Sequence, residues 1–287
     1  MPRSKVVRLL SAAVGILAGL FARSGVCQET IQFMDARPDA VWDNRFQRTS
    51  GWLGADGNYS IRVSSDRVLW FFSDTLIGRV ADGKRVESRM VNNSIGVQTG
   101  PAGQESLEFF YRNSPNGEPQ SMFRPDDASH WEWLVGGTEI QEKVHLLTWE
   151  MRRSSDPGVF GFAMAGVNHI EIENPLDRPT DWKLTRRSLP FTELTDSRRI
   201  VFGAAVLQDG DTTYVYGTLE TPGQKLAPRR MILARFPSRS FADYSSWQFR
   251  TATGWSSHFV DCSELVIGIA SEYSVSRVPG SSKYLCI

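Results

Sequence analysis

Asp56 and Asp74 frame the stretch GWLGADGNYSIRVSSDRVLWFFSDT, one just before an apolar hairpin and the other just after it. Asp in such places has two uses. It can bond nearby backbone N–H groups as a turn residue, or it can line a cleft and do acid–base chemistry. Around Asp56, Gly54 and Gly57 permit unusual backbone geometry and close approach of a ligand, and Trp52 offers a flat apolar face of the kind sugars stack against. A third carboxylate, Glu272, stands before a later run of the same type. Glu150 and Glu220 follow second strands as Asp74 does, and read more simply as turn or structural residues. The four histidines, at 130, 145, 169 and 258, are scattered and read as structural. No C-x-x-C or H-x-x-x-H spacing accompanies them, so no metal and no cofactor is expected.

The elements that must position these groups are short β-rich runs between Gly, Asn, Asp, Ser and Pro clusters, with almost no helical periodicity. Residues 59–63 and 68–72 form the opening hairpin, turning at Ser64-Ser65-Asp66. Residues 94–98 and 107–111 read as two more strands, and 113–129 as loop. The hairpin theme returns at 136–150 with a turn at Gln141–Glu142. It returns again at 202–220, turning at Asp209-Gly210-Asp211, and from Ser271 with Pro279–Gly280 at the turn. Long repeats of some four strands each mark propeller blades. In a propeller the first strand of each blade lines the channel, which would bring Asp56, Thr138 with Glu139, and Glu272 onto one face. The fourth copy stops at Ile287 inside its second strand, so the reading expects a chain truncated within a fourth blade.

Compartment and charge narrow the function. Arg3, Lys5 and Arg8 precede an uncharged apolar run from Leu9 to Phe21, the length of a signal-peptide core and short of the roughly 20 residues of a membrane span. Residues 1–28 are therefore expected to be a signal peptide, and 29–287 a single secreted or periplasmic domain. The chain carries 32 basic and 32 acidic residues; loss of Arg3, Lys5, Arg8 and Arg23 leaves 28 against 32. A mildly acidic exported monomer without a basic block is a poor candidate for nucleic-acid binding or, once the signal is cleaved, for membrane binding. Cys262 and Cys286 could pair in an oxidising compartment, but two cysteines do not make a disulfide scaffold.

The string Gly51-Trp52-x-Gly54-x-Asp56-Gly57-x-Tyr59-Ser60, then Leu69-Trp70-x-Phe72-x-Asp74-Thr75 and Asn92-Asn93-Ser94, resembles secreted bacterial uncharacterised-domain families. These are related to five-bladed-propeller furanosidases, and some relatives are endo-acting glycoside hydrolases that cleave D-arabinan. The resemblance runs from about Trp42 to the C-terminus and implies an all-β five-bladed propeller acting on a furanose-containing polysaccharide. It implies Asp56 as base or nucleophile, Glu272 as acid, and Asp74 as the residue that orients Asp56 or tunes its pKa. Trp52, Tyr59, Asn93, Trp131 and Glu139 are the expected substrate contacts. In the second blade HWEWLVGGTE has Gly136-Gly137-Thr138 where the family often has an Asp, with Glu139 or Glu132 as substitutes. Glycoside hydrolysis needs two carboxyls flanking the bond, about 5–5.5 Å apart for retention and about 6.5–9.5 Å for inversion. A non-catalytic carbohydrate-binding propeller and an inactive truncated product are the alternatives.

Overall fold

The computed structural model describes residues 32, 34–155, 161–222 and 227–287. The expected signal peptide lies outside the described residues, and among these no helix is long and apolar enough to cross a membrane. The chain divides into two compact units, Met1–Ala36 and Arg37–Ile287. The described residues of the first are exposed and without regular structure. The second is all-β, built from antiparallel sheets, with one short helix at Ala40–Phe46 capped by the Asp39 carboxylate.

Each hairpin expected from the sequence belongs to its own sheet. Tyr59–Ser64 and Arg67–Phe72 begin a four-stranded sheet completed by Ser94–Thr99 and Ser106–Phe110. His130–Ile140 and Lys143–Arg153 begin a second, followed by Phe162–Ile172 and Leu184–Ser188. Arg199–Asp209, Thr212–Glu220 and Arg229–Pro237 form the middle of a third, larger sheet, and Val275–Arg277 pairs with Tyr284–Cys286 in a fourth. The turns explain the registers: Gln141 and Glu142 both have positive φ, 54° and 65°, as a two-residue hairpin turn of matching twist requires.

Two expectations need correction here. The second hairpin starts at His130 rather than near Gly137, so its strands are 11 residues long. Gly136 and Gly137 sit in a bulge of the first strand, where the ladder shifts between Leu134 and Gly137. They permit close packing: a Cβ at Gly136 would lie 2.8 Å from the Gly203 carbonyl oxygen of the third sheet. A three-stranded sheet of Ser50–Ala55, Thr75–Ala81 and Lys84–Val91 was also not expected. Most of Lys84–Val91 is exposed and polar, so it carries no apolar alternation to read.

Apolar side chains fill the space between the sheets. One cluster joins Trp149, Val201, Phe202, Phe236, Phe241, Trp247 and Phe249 across the second and third sheets. Another joins Phe71, Ile95, Leu134, Val144 and Ile170 across the first and second. Burying each such side chain stabilises the fold by about 1.5–3 kcal/mol. Cys262 is buried in the first of these clusters and Cys286 is exposed in the last strand; both are free, so the possible disulfide does not form.

Candidate active site

In an antiparallel hairpin the first strand starts, and the second ends, at the same edge of the sheet. Asp56 and Asp74 therefore meet: the Asp56 N–H donates to the Asp74 carbonyl at 3.1 Å, and the Ser73 N–H donates to the Asp56 carbonyl at 2.9 Å. Gly57 makes this closure possible, with φ +58° and a position where a Cβ would lie 2.7 Å from Ser73 Oγ. The Asp74 carboxylate turns toward the second sheet. Its Oδ1 accepts from Trp133 Nε1 at 2.8 Å and from Asn92 Nδ2 at 3.1 Å.

Glu272, just before the fourth hairpin, comes to the same place. Burial pushes the Asp56 carboxyl above the usual carboxylate range, and the neighbouring Asp74 charge pushes it further. Glu272 is raised by burial and then by the charge of Asp56. Tyr59, the first residue of the opening strand, has its hydroxyl raised by burial and then by the charges of Glu272 and Asp56. That hydroxyl is buried without a protein partner. Asp56, Asp74, Glu272 and Tyr59 thus form one electrostatic cluster, with Asp56 coupled to both other carboxylates. Both Asp56 and Glu272 keep exposed surface, so the cluster is open to a substrate. Among the described residues, no three His, Cys, Asp or Glu side chains are placed to hold a metal ion.

Two pockets border the cluster. One, of about 800 Å³, is lined by Asp74, Asn92, His130, Trp131, Trp133 and Phe162, with Arg152 and Arg153 at its rim. Trp131, an expected substrate contact, lines this pocket and packs edge-on against Trp133 and Phe162, and its Nε1 is buried without a protein partner. The other, of about 340 Å³, contains Glu272 and shares Trp133 and Phe162 with the first. Behind the larger pocket, His130 Nδ1 lies 2.5 Å from Glu150 Oε1, and Asn168 Nδ2 donates to Glu150 Oε2 at 2.9 Å.

Several expected contacts lie elsewhere. Trp52 is buried, stacked on Phe109 with centroids 4.0 Å apart, and its Nε1 donates to Ser94 Oγ, so its ring offers no free face to a sugar. Asn93 is fully buried: its amide donates to the carbonyls of Phe123 and Glu132 and accepts from the Phe123 N–H, tying the segment before the second sheet to the first. Glu139 lies at the far tip of its hairpin, where it accepts from the Glu142 N–H. At about 3.3 Å per residue, six residues put it roughly 20 Å from Trp133. Glu132 does stand at the right edge, but it is fully buried in a fork with Arg186 and bonded by Thr148 and Asn168. It acts as a structural anchor and is closed to substrate.

Trp133, Asn92, His130 and Phe162 were not anticipated. Trp131 and Trp133 are two apart, the spacing that puts both on one strand face; extending the strand back to His130 would have shown it.

A family model described as "Domain of unknown function (DUF5005)" matches residues 39–286. The chain belongs to this family. The DUF5005 match begins with the helix cap at Asp39 and ends in the last strand, so it spans the whole cluster. No curated protein matches. Among solved structures, the DUF5005 domain is similar to "a putative hydrolase from Bacteroides ovatus ATCC 8483", with a TM-score of 0.64 and 19% identity. That likeness covers 85% of this chain and 65% of the other, so the chain spans just under two thirds of the matched structure, and at this identity the likeness speaks to fold alone.

Proposed function

We propose that the DUF5005 domain is an exported glycoside hydrolase that cleaves a furanose-containing polysaccharide such as arabinan, built on a five-bladed β-propeller. The observation that carries the reading is the meeting of Asp56, Asp74 and Glu272, carboxyls from opposite ends of the chain: burial and the Asp74 charge raise Asp56, and burial and the Asp56 charge raise Glu272. Two carboxyls that cannot both ionise easily hold one proton between them, which supplies an acid and a base at the same pH. Glu272 faces the smaller, largely apolar pocket and acts as the proton donor to the leaving oxygen. Asp56 acts as base or nucleophile, and Asp74, held by Trp133 and Asn92, orients it. Tyr59 adds a hydroxyl to the same cluster. The hydrolase description of the similar solved structure is consistent with this class. The propeller reading draws support from the first strands of the four hairpin sheets, which pack against one another in chain order.

Asp56→Asn and Glu272→Gln keep size and remove charge. Each is expected to cut release of reducing sugar from arabinan by about 10²–10⁴-fold, with the unfolding transition retained. Undiminished release by the folded Asp56→Asn protein would end the assignment. A second reading is a non-catalytic carbohydrate-binding propeller, favoured by the wall of Trp131, Trp133 and Phe162, which does not depend on the carboxyls. Retention on arabinan without release of sugar identifies it.

A further inference from the structure

The two pockets that meet at the carboxylate cluster differ in character. The larger has Asp74, Asn92, Ser129, His130 and two arginines around its aromatic wall, a set suited to sugar hydroxyls. The smaller is walled by Trp149, Met151, Phe162, Met164 and Val201. Of its charged groups besides Glu272, Glu220 and Arg229 neutralise each other at 2.6 Å, and Arg199, Thr218 and Ser271 complete the polar lining. Trp133 and Phe162, edge to face with centroids 5.0 Å apart, stand between the two and line both. Asp74 belongs to the larger pocket and Glu272 to the smaller, while Asp56 is coupled to each of them.

Trp149, which lines the smaller pocket, carries an unused donor. Trp149 is 5% exposed, and its Nε1 has no protein acceptor. A buried N–H in that state favours any ligand that brings an acceptor to it. A free sugar would fit less well here than in the larger pocket, because most of this wall is sulfur, aliphatic and aromatic and its hydroxyls would lose water against it.

We infer that the pocket beside Glu272 is a leaving-group subsite for an apolar moiety, an aryl or short acyl-bearing group with one hydrogen-bond acceptor, while the sugar ring being cleaved occupies the larger pocket. The inference rests on the hydrolase reading above and gives it a direction. Glu272 protonates the bridging oxygen on the apolar side, and that oxygen leaves with the aryl or acyl-bearing alcohol. The anomeric carbon bonds instead to Asp56, or to a water that Asp56 deprotonates, with water as the final acceptor of the sugar. Asp74 stands on the sugar side. The substrates that fit are arabinofuranosides linked to, or decorated beside the scissile bond with, aromatic or acyl groups.

Calorimetry on the Asp56→Asn protein tests this with three probes: 4-nitrophenyl arabinofuranoside, methyl arabinofuranoside and 4-nitrophenol. The 4-nitrophenyl glycoside is expected to bind at least about tenfold tighter than the methyl glycoside, the lower end for filling a hydrophobic pocket. Trp149→Phe keeps a ring and removes the donor, so it should weaken the 4-nitrophenyl glycoside several-fold and leave the methyl glycoside unchanged. Met164→Arg, at a half-buried position, should abolish the difference by filling the pocket. Equal affinity for the two glycosides would overturn the inference while leaving the hydrolase reading intact. Binding of 4-nitrophenol with no binding of either glycoside would uphold the apolar pocket and defeat the furanoside reading. No binding of any probe would defeat both.

Discussion

Asp56 shows how far one residue's chemistry could be read before its neighbours were known. Two flanking glycines and a hairpin beside it indicated a special backbone, and that much the structure bears out through the closure at Gly57. What composition could not supply is the company it keeps. Asp74 is cross-strand and follows from the hairpin, but Glu272 is more than two hundred residues away in sequence. Trp52 is no substrate contact because its side chain is turned inward, toward Phe109, although it is only four residues from Asp56. The electrostatics make a prediction separate from activity. Asp56 has a folded-state pKa above its unfolded value, so its contribution is fully present below the unfolded pKa and is lost as pH rises through the folded one. Asp56→Asn should therefore raise the melting temperature at neutral pH, and the gain should vanish below about pH 4, where Asp is protonated in both states. Because Asp56 keeps exposed surface, the gain should be small. A lower melting temperature for the variant at pH 7 would mean that the Asp56 charge is stabilised, contrary to the coupling described.

Elements were more legible than sites because turns punctuate strands. Gln141–Glu142 and Asp209-Gly210-Asp211 lie where the hairpins turn. The misplaced start of the second hairpin has a physical cause. Gly136 and Gly137 look like the loop before a strand, yet they are a bulge within one, required because a neighbouring backbone passes too close for a Cβ. The histidines illustrate a different limit: His145 and His169 are scattered in sequence, but Nδ1 of one lies 3.0 Å from Nε2 of the other, on paired strands of the second sheet. Phe241 stacks on His145, and the Tyr244 hydroxyl lies 3.1 Å from His169 Nδ1, so the pair docks the segment around the short turns at Ser238–Ser240 and Tyr244–Ser246. Burial pushes His145 down to about 4 and His169 to about 3. Beyond burial, Glu171 raises His145, Lys143 and Arg187 lower it, and His145 and Arg187 lower His169 further. Both rings fold neutral, so the stability they contribute is present above their unfolded value of 6.5 and is lost as pH falls toward 4 and 3. Melting temperature should fall across that window, and His169→Gln should flatten the slope. An unchanged slope in the variant would show that acid sensitivity comes from other groups. At the other edge of the sheets, Gly57→Ala should cost about 1–3 kcal/mol from the left-handed backbone alone and displace Asp56 from Asp74; denaturant unfolding and hydrolysis would both report it.

At the scale of the whole domain, the carboxylates share one face for a topological reason. Every hairpin begins its first strand and ends its second at the same edge, so Asp56, Asp74, Glu132, Glu150, Glu220 and Glu272 are delivered to one side by connectivity before any side chain packs. Connectivity does not fix the distances between sheets, and those decide whether the groups cooperate. The first strands of the second and third sheets pass closely at Gly136 and Gly203, while Arg186 and Glu132 brace the second sheet internally across His130–Ile140 and Leu184–Ser188. A side chain at Gly136 must push the two sheets apart, because its Cβ would meet the Gly203 carbonyl at 2.8 Å and the Ala205 backbone at 3.1 Å, and backbone cannot swing aside as a side chain does. Gly136→Val should therefore destabilise the domain by about 1–3 kcal/mol, the range for overpacking, and should also weaken hydrolysis, since Trp133 lies three residues away and carries the contact to Asp74. Gly166→Ala is the matched control: a Cβ there meets nothing within 4 Å, so stability and activity should both hold. If Gly136→Val lost stability but kept full hydrolysis, the spacing of the sheets would be a matter of folding alone, and the geometry of the site would be set within the first sheet and its own hairpin closure.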